Sequence, residues 1–131
     1  MVLDASAVVE WLLGSERGDA VAEQLIDDPD GAFFAPDLLD IEILQAFRRL
    51  ARSGAVSSAR ATGAVELLQA LPVERRSAGI LVSRIWALRG NLSAYDAAYV
   101  ALAEALDCPL LTCDARIADA PGHGARVRVV G

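Results

Sequence analysis

Four carboxylates stand at positions where they could act together: Asp4, Glu42, Asp96 and Asp114. Carboxylates brought close repel one another and hold their protons more tightly unless a cation joins them. A hard divalent ion with oxygen ligands relieves that repulsion; Mg2+ fits, with Mn2+ as the alternative. Such a centre can activate water and offset charge on a phosphodiester as it is cut. Each acid also has an ordinary structural role open to it. Asp4 could cap the first helix, and Asp96 could complete a capping box with Ser93. Glu42 could be an exposed helix former, and Asp114 a turn residue. The chemistry is therefore carried by the set.

The elements around these acids decide whether they can meet. Met1-Val2-Leu3 is short, apolar and β-prone, and it ends on Asp4. A helix is expected from Ser6 to Leu13, stopped by Gly14, and a second over Asp19–Asp27. Ala32–Ala35 reads as a strand ended by Pro36, and Leu38–Ser53, which carries Glu42, as a strongly amphipathic helix. Helices over Ser57–Leu71 and Ser77–Leu88 flank a brief strand at Val73-Glu74. Ser93–Leu106 has the best-marked helix start, with Asp96 in its first turn. Pro109–Thr112 is a buried-strand pattern running into Asp114, Ala115–Asp119 a helical turn, and Val127–Val130 a last strand. Short strands alternating with longer helices define an α/β fold on a mainly parallel sheet. In such sheets ligands bind beyond the carboxyl ends of the strands, where Asp4 and Asp114 both fall.

Composition narrows the class. The 131 residues suit one domain, 1–131, and 54% hydrophobic residues allow a sizeable core. No apolar run approaches a membrane span, and no signal peptide is visible, so a cytoplasmic protein without membrane association is expected. Cys108 and Cys113 form no disulfide framework and are expected to be buried thiols. A single histidine, His123, in a Gly-rich segment argues against a structural zinc site and against a metal-free ribonuclease built on imidazole. Core packing is the default for Trp11 and Trp86, although Trp11-Leu12-Leu13 and Phe33-Phe34 could face a partner helix.

A net charge of −6 opposes binding to a polyanion. Part of that charge is the acidic set, which a bound cation would offset. All twelve bases are arginine, a side chain suited to phosphate contact. Arg48, Arg49 and Arg52 follow Glu42 along its helix, Arg84 and Arg89 precede the Asp96 helix, and Arg116 follows Asp114. Arg89 and Arg116 are expected to rim the site.

Val2-Leu3-Asp4-Ala5-Ser6 resembles the opening of a PIN domain. Leu92-Ser93-Ala94-Tyr95-Asp96-Ala97-Ala98-Tyr99-Val100-Ala101 is very similar to that family's third acidic motif, and Leu110-Leu111-Thr112-Cys113-Asp114 to its last. Glu42 matches the second, with Gln45 where an Asn is usual. The likeness spans the chain, and its small size is similar to the toxins of bacterial VapBC toxin–antitoxin pairs. The resemblance implies a three-layer PIN fold and a Mg2+-dependent endoribonuclease, homodimeric and restrained by a VapB-like antitoxin. It makes Asp4 and Asp96 the principal metal ligands, with Glu42 and Asp114 completing the catalytic pocket. Ser6 and Thr112 become hydroxyls that support the acids or touch substrate phosphate, and water activated by the cation attacks phosphorus in line. Three alternatives stay open on sequence: DNA as substrate or RNA processing without an antitoxin, a non-catalytic PIN-like binding module, and a phosphohydrolase using Asp4 as nucleophile. The last would want an acid where Ser6 stands.

Overall fold

A computed structural model describes residues 1–131. Five strands form one sheet: β1 (Val2–Leu3), β2 (Phe33–Pro36), β3 (Val73–Arg76), β4 (Leu110–Thr112) and β5 (Val127–Val129). Their order is β3-β2-β1-β4-β5, and every pairing is parallel. The sheet is thus wholly rather than mainly parallel. The residues of β1 and β4 are all fully buried, the mark of parallel strands covered on both faces.

Helices flank the sheet: α1 (Ala5–Leu13), α2 (Glu16–Ile26), α3 (Leu39–Arg52), α4 (Ser58–Ala70), α5 (Val82–Ala87), α6 (Ala94–Leu106) and α7 (Ala115–Asp119). Helices α1 to α4 pack on one another, while α6 lies against β1, β2 and β4. Seven of the thirteen α6 residues are buried, which explains why its sequence is apolar nearly all round. One apolar cluster joins β1, β4, α1, α3 and α6.

Local chemistry places the element ends. Gly14 closes α1 at φ 61°, a conformation glycine takes without strain. Ser57 and Ser93 cap α4 and α6 by accepting from the amides of Arg60 and Asp96. Strand β3 runs two residues beyond the expected Val73-Glu74, because Arg75 and Arg76 continue the ladder opposite Ala35 and Pro36. The helix expected over Ser77–Leu88 is split. Ala78–Leu81 is a 3₁₀ turn, and α5 begins after Leu81, which turns inward at φ −106°, ψ 3° to reach the core.

Two sequence expectations about side chains change, those for Trp86 and for the pair Cys108 and Cys113. Trp86 is 66% exposed rather than packed in the core, since α5 buries none of its residues. Cys108 and Cys113 are free and only half-buried, because both lie just outside β4 rather than within it. Trp11 is partly buried against the core, as expected. His123 sits in a loop, with Nε2 2.9 Å from the carbonyl of Ile117. No helix is long and apolar enough to cross a membrane.

Candidate active site

The chain leaves β1 towards β2 on one side, and β4 continues to β5 on the other. The point where strand order reverses therefore lies between β1 and β4, the place where open parallel sheets leave a crevice. Asp4 follows β1 and Asp114 follows β4, so both stand at that crevice.

Asp4 occupies the N-cap position of α1 but caps nothing with its side chain. Its Oδ2 instead accepts from Ser6 Oγ at 2.5 Å and from Thr112 Oγ1 at 2.8 Å. Each hydroxyl has its proton direction set by a backbone donor. Cys113 N–H donates to Ser6 Oγ at 3.0 Å, and Asp114 N–H donates to Thr112 Oγ1 at 3.0 Å. The two hydroxyl oxygens stand 3.1 Å apart and both protons point to Asp4. Both hydroxyls reach the same oxygen, and the Ser6 backbone amide adds a weaker pull on the carboxylate. Asp4 is 5% exposed, one of only two buried polar residues; the other is Thr112. Burial raises its pKa above the ordinary 3.8, the hydroxyls pull it down in part, and Asp96 pushes it up again.

Glu42 projects from the first turn of α3 and Asp96 from the first turn of α6. Tyr99 OH donates to Glu42 Oε1 at 2.7 Å, tying the two helices together across the site. Burial lifts the Glu42 pKa, Tyr99 lowers it, and both Asp4 and Asp96 raise it. The Asp96 pKa is also raised, first by burial, with Ser93 opposing and Asp114 adding repulsion. Tyr99 is fully buried, and burial together with Glu42 pushes its hydroxyl pKa far up, so it remains a donor.

Asp114 differs. It caps α7 through the amide of Arg116 at 3.0 Å, and the Arg116 guanidinium grips both its oxygens, the shortest contact being 2.6 Å. Hydrogen bonding to Arg116 holds its pKa below the ordinary value. Arg116 also acts on Asp96, lowering its pKa. Arg89, expected at the rim, has its guanidinium over the Trp86 ring at 4.5 Å and donates to the Trp86 carbonyl at 2.9 Å. No contact joins Arg89 to any of the four acids.

Sequence reasoning passed over Tyr99, although it lies three residues after Asp96 and so shares its helix face. It also passed over Arg17. A cleft of about 430 Å3 is lined by Ser6, Glu10, Arg17, Glu42, Arg49 and Cys113. A second, of about 340 Å3, is lined by Ile41, Glu42, Gln45, Arg49 and Tyr95. Glu42 and Arg49 wall both.

The donor set suits a hard cation. Three mutually repelling carboxylates have raised pKa values, and in the buried one both hydroxyl donors converge on a single oxygen. No three histidine, cysteine or carboxylate side chains form a preassembled cage. Mg2+ requires none: it keeps much of its water and binds through one or two carboxylates together with substrate phosphate.

The family model for the PIN domain matches residues 1–122. The chain is 44% identical to ribonuclease VapC9 of Mycobacterium tuberculosis over 119 residues, covering 91% of this chain and 89% of that protein. It is 41% identical to ribonuclease VapC1 of the same organism, over 98% of this chain and 96% of the relative. Its fold matches the crystal structure of M. tuberculosis VapC20, described as a Sarcin-Ricin loop cleaving toxin, with a TM-score of 0.68. That match covers 94% of this chain and 95% of VapC20 at 14% identity, and it bears on the fold alone. The chain belongs to the PIN domain family, in its VapC branch.

Proposed function

We propose that this PIN domain is a Mg2+-dependent endoribonuclease, with Mn2+ as an alternative ion, and the toxin of a toxin–antitoxin pair. The observation that carries the reading is the cluster of Asp4, Glu42 and Asp96 at the strand-order reversal, all with raised pKa values. VapC relatives named as ribonucleases support the choice of reaction. Asp4 and Asp96 would hold the ion, with Glu42 and Asp114 completing the pocket. When bound, the ion supplies an acidified water and offsets charge on the phosphodiester.

The chain's own residues prepare that pocket. Ser6 and Thr112 hold Asp4 through Oδ2, and either hydroxyl could turn to a phosphate oxygen. Tyr99 holds the Glu42 carboxylate. Arg116 secures Asp114 and, being highly exposed, can meet phosphate at the rim. Arg89, farther out, serves in this reading as an outlying phosphate contact.

A homodimer restrained by a VapB-like antitoxin in the cytoplasm completes the proposal. An apolar groove of about 260 Å3, lined by Trp11, Leu12, Leu67, Ala70 and Leu71, suits an antitoxin segment bearing apolar side chains. Cleavage of single-stranded RNA by purified protein tests the reaction. Mg2+ should support it, and chelation or Asp96→Asn should remove it. Undiminished cleavage in chelator and in the variant would reject the metal site.

A further inference from the structure

The second cleft holds side chains that the folded chain leaves without partners. Glu42, Gln45 and Arg49 are spaced three and four residues apart on α3, so they share a face. Tyr95 closes the cleft from the first turn of α6, immediately before Asp96. Arg49 takes part in none of the six ion pairs, which engage Arg17, Arg75, Arg76, Arg84, Arg116 and Arg126. Tyr95 is 65% exposed and its hydroxyl has no partner in the chain. The Gln45 amide is likewise unbonded, and offers both donors and an acceptor.

A free cation, a free aromatic face and a free amide thus surround a cavity of about 340 Å3 whose wall includes Glu42. We propose that this α3–α6 cleft is a binding subsite for single-stranded RNA flanking the cleaved bond. Arg49 holds a backbone phosphate, Tyr95 stacks a base, and Gln45 meets that base's edge. The proposal rests on the ribonuclease reading.

Three considerations favour that ligand. A chain of net charge −6 needs local positive charge to bring a polyanion to an acidic site, and a cation without an ion-pair partner supplies it most fully. Arg49 does so, and it lines both clefts that meet at Glu42. An exposed tyrosine offers a π-face to any base, whatever its identity. Stacking needs an unpaired base, because an A-form duplex encloses its base faces and presents backbone instead.

Binding of a fluorescent RNA hexanucleotide, followed by anisotropy across a salt series in an Asp4→Asn background, tests the subsite. Arg49→Gln should weaken binding and reduce the slope of log affinity against log salt by about 0.7, the share of one phosphate on a single strand. Tyr95→Ala should weaken binding about tenfold with the slope unchanged, and Tyr95→Phe should restore it. A blunt RNA duplex should compete poorly. Affinity and slope that stay at the background level in both Arg49→Gln and Tyr95→Ala would overturn the subsite, and so would equal competition by the duplex. Cleavage of the same hexanucleotide by the otherwise unaltered chain with Mg2+ separates the two readings. If it neither cleaves nor binds, the ribonuclease reading fails along with the subsite; if it does both and the variants match it, the subsite alone fails.

Discussion

Asp4 and Asp114 follow adjacent strands of one parallel sheet, yet their surroundings push their protons in opposite directions. Asp4 is buried, shares its acceptor oxygen between two hydroxyls and is repelled by Asp96, and its pKa rises. Asp114 is gripped by Arg116, and its pKa falls. Glu42 and Asp96 side with Asp4. The contrast separates two uses of a carboxylate at one sheet edge. No ion pair engages Asp4, Glu42 or Asp96, which leaves that group poised for a cation from outside, whereas Asp114 is already paired with Arg116. In the proposed centre, Asp114 is therefore better suited to shaping the rim than to carrying the ion.

Variants can break that contrast. The largest effect is expected from Asp4→Asn, which removes the buried charge and keeps the shape. Mg2+-dependent cleavage should fall by more than about 100-fold, beyond what altering a partner of a metal ligand costs. Without metal, the same variant should melt higher than the parent at neutral pH, since a buried carboxylate with a raised pKa destabilises the fold when ionised. Added Mg2+ should raise the parent's Tm and leave the variant's unchanged. A variant that melts lower without metal would show that the hydroxyl pair favours the charge more than burial opposes it.

Tyr99→Phe comes next. It keeps the buried ring and removes the donor to Glu42. Cleavage should fall about tenfold through weaker Mg2+ binding, with a stability loss of about 1 kcal/mol. Calorimetric titration with Mg2+ reads the first and chemical denaturation the second. Unchanged Mg2+ affinity would confine Tyr99 to a packing role.

The pH dependence of stability sharpens the same division. In the metal-free protein, groups with raised pKa values bind protons more readily folded than unfolded. Stability should therefore rise as pH falls from neutral towards the raised values of Asp4, Glu42 and Asp96. It should fall at lower pH, when Asp114 and Glu104, with depressed values, lose their arginine partners. Saturating Mg2+ should flatten the first limb and spare the second. Metal-free stability that only declines on acidification would mean the cluster is not strained. Arg116→Ala should have the smallest effect. Freeing Asp114 adds negative charge at the rim, so Mg2+ should bind a few-fold more tightly and RNA a few-fold more weakly. Equal affinities for both would remove Arg116 from the site.

The sequence displayed the elements better than their connections. Gly14, Ser57, Ser93 and the apolar run before Asp114 mark local events, which depend on residues a turn or less apart. Strand order was not legible, because β1 pairs with β2 and β4 through contacts set by the whole fold. The break at Leu81 escaped the helical pattern, since the side chain's route to the core bends the backbone. At the site, the four acids were readable as types, and the family likeness grouped them. Their differences were not readable: the Tyr99–Glu42 bond spans 57 residues, and nothing in the sequence showed that the Arg116 guanidinium folds back onto Asp114. Arg89 illustrates the limit in reverse: it precedes the Asp96 helix in sequence, yet its guanidinium lies over Trp86.

The hydroxyl pair that holds Asp4 has a consequence for synthesis. Thr112 lies 108 residues after Asp4, and the Cys113 amide that orients Ser6 comes later still. At roughly 5–20 residues per second, a ribosome needs about 5–20 s between making the first half of this centre and the second. Until β4 emerges and docks beside β1, Asp4 lacks the Thr112 donor and Asp114 has no edge to stand on. In the proposed centre, the pocket is therefore complete only when most of the chain has left the machine whose RNA surrounds it.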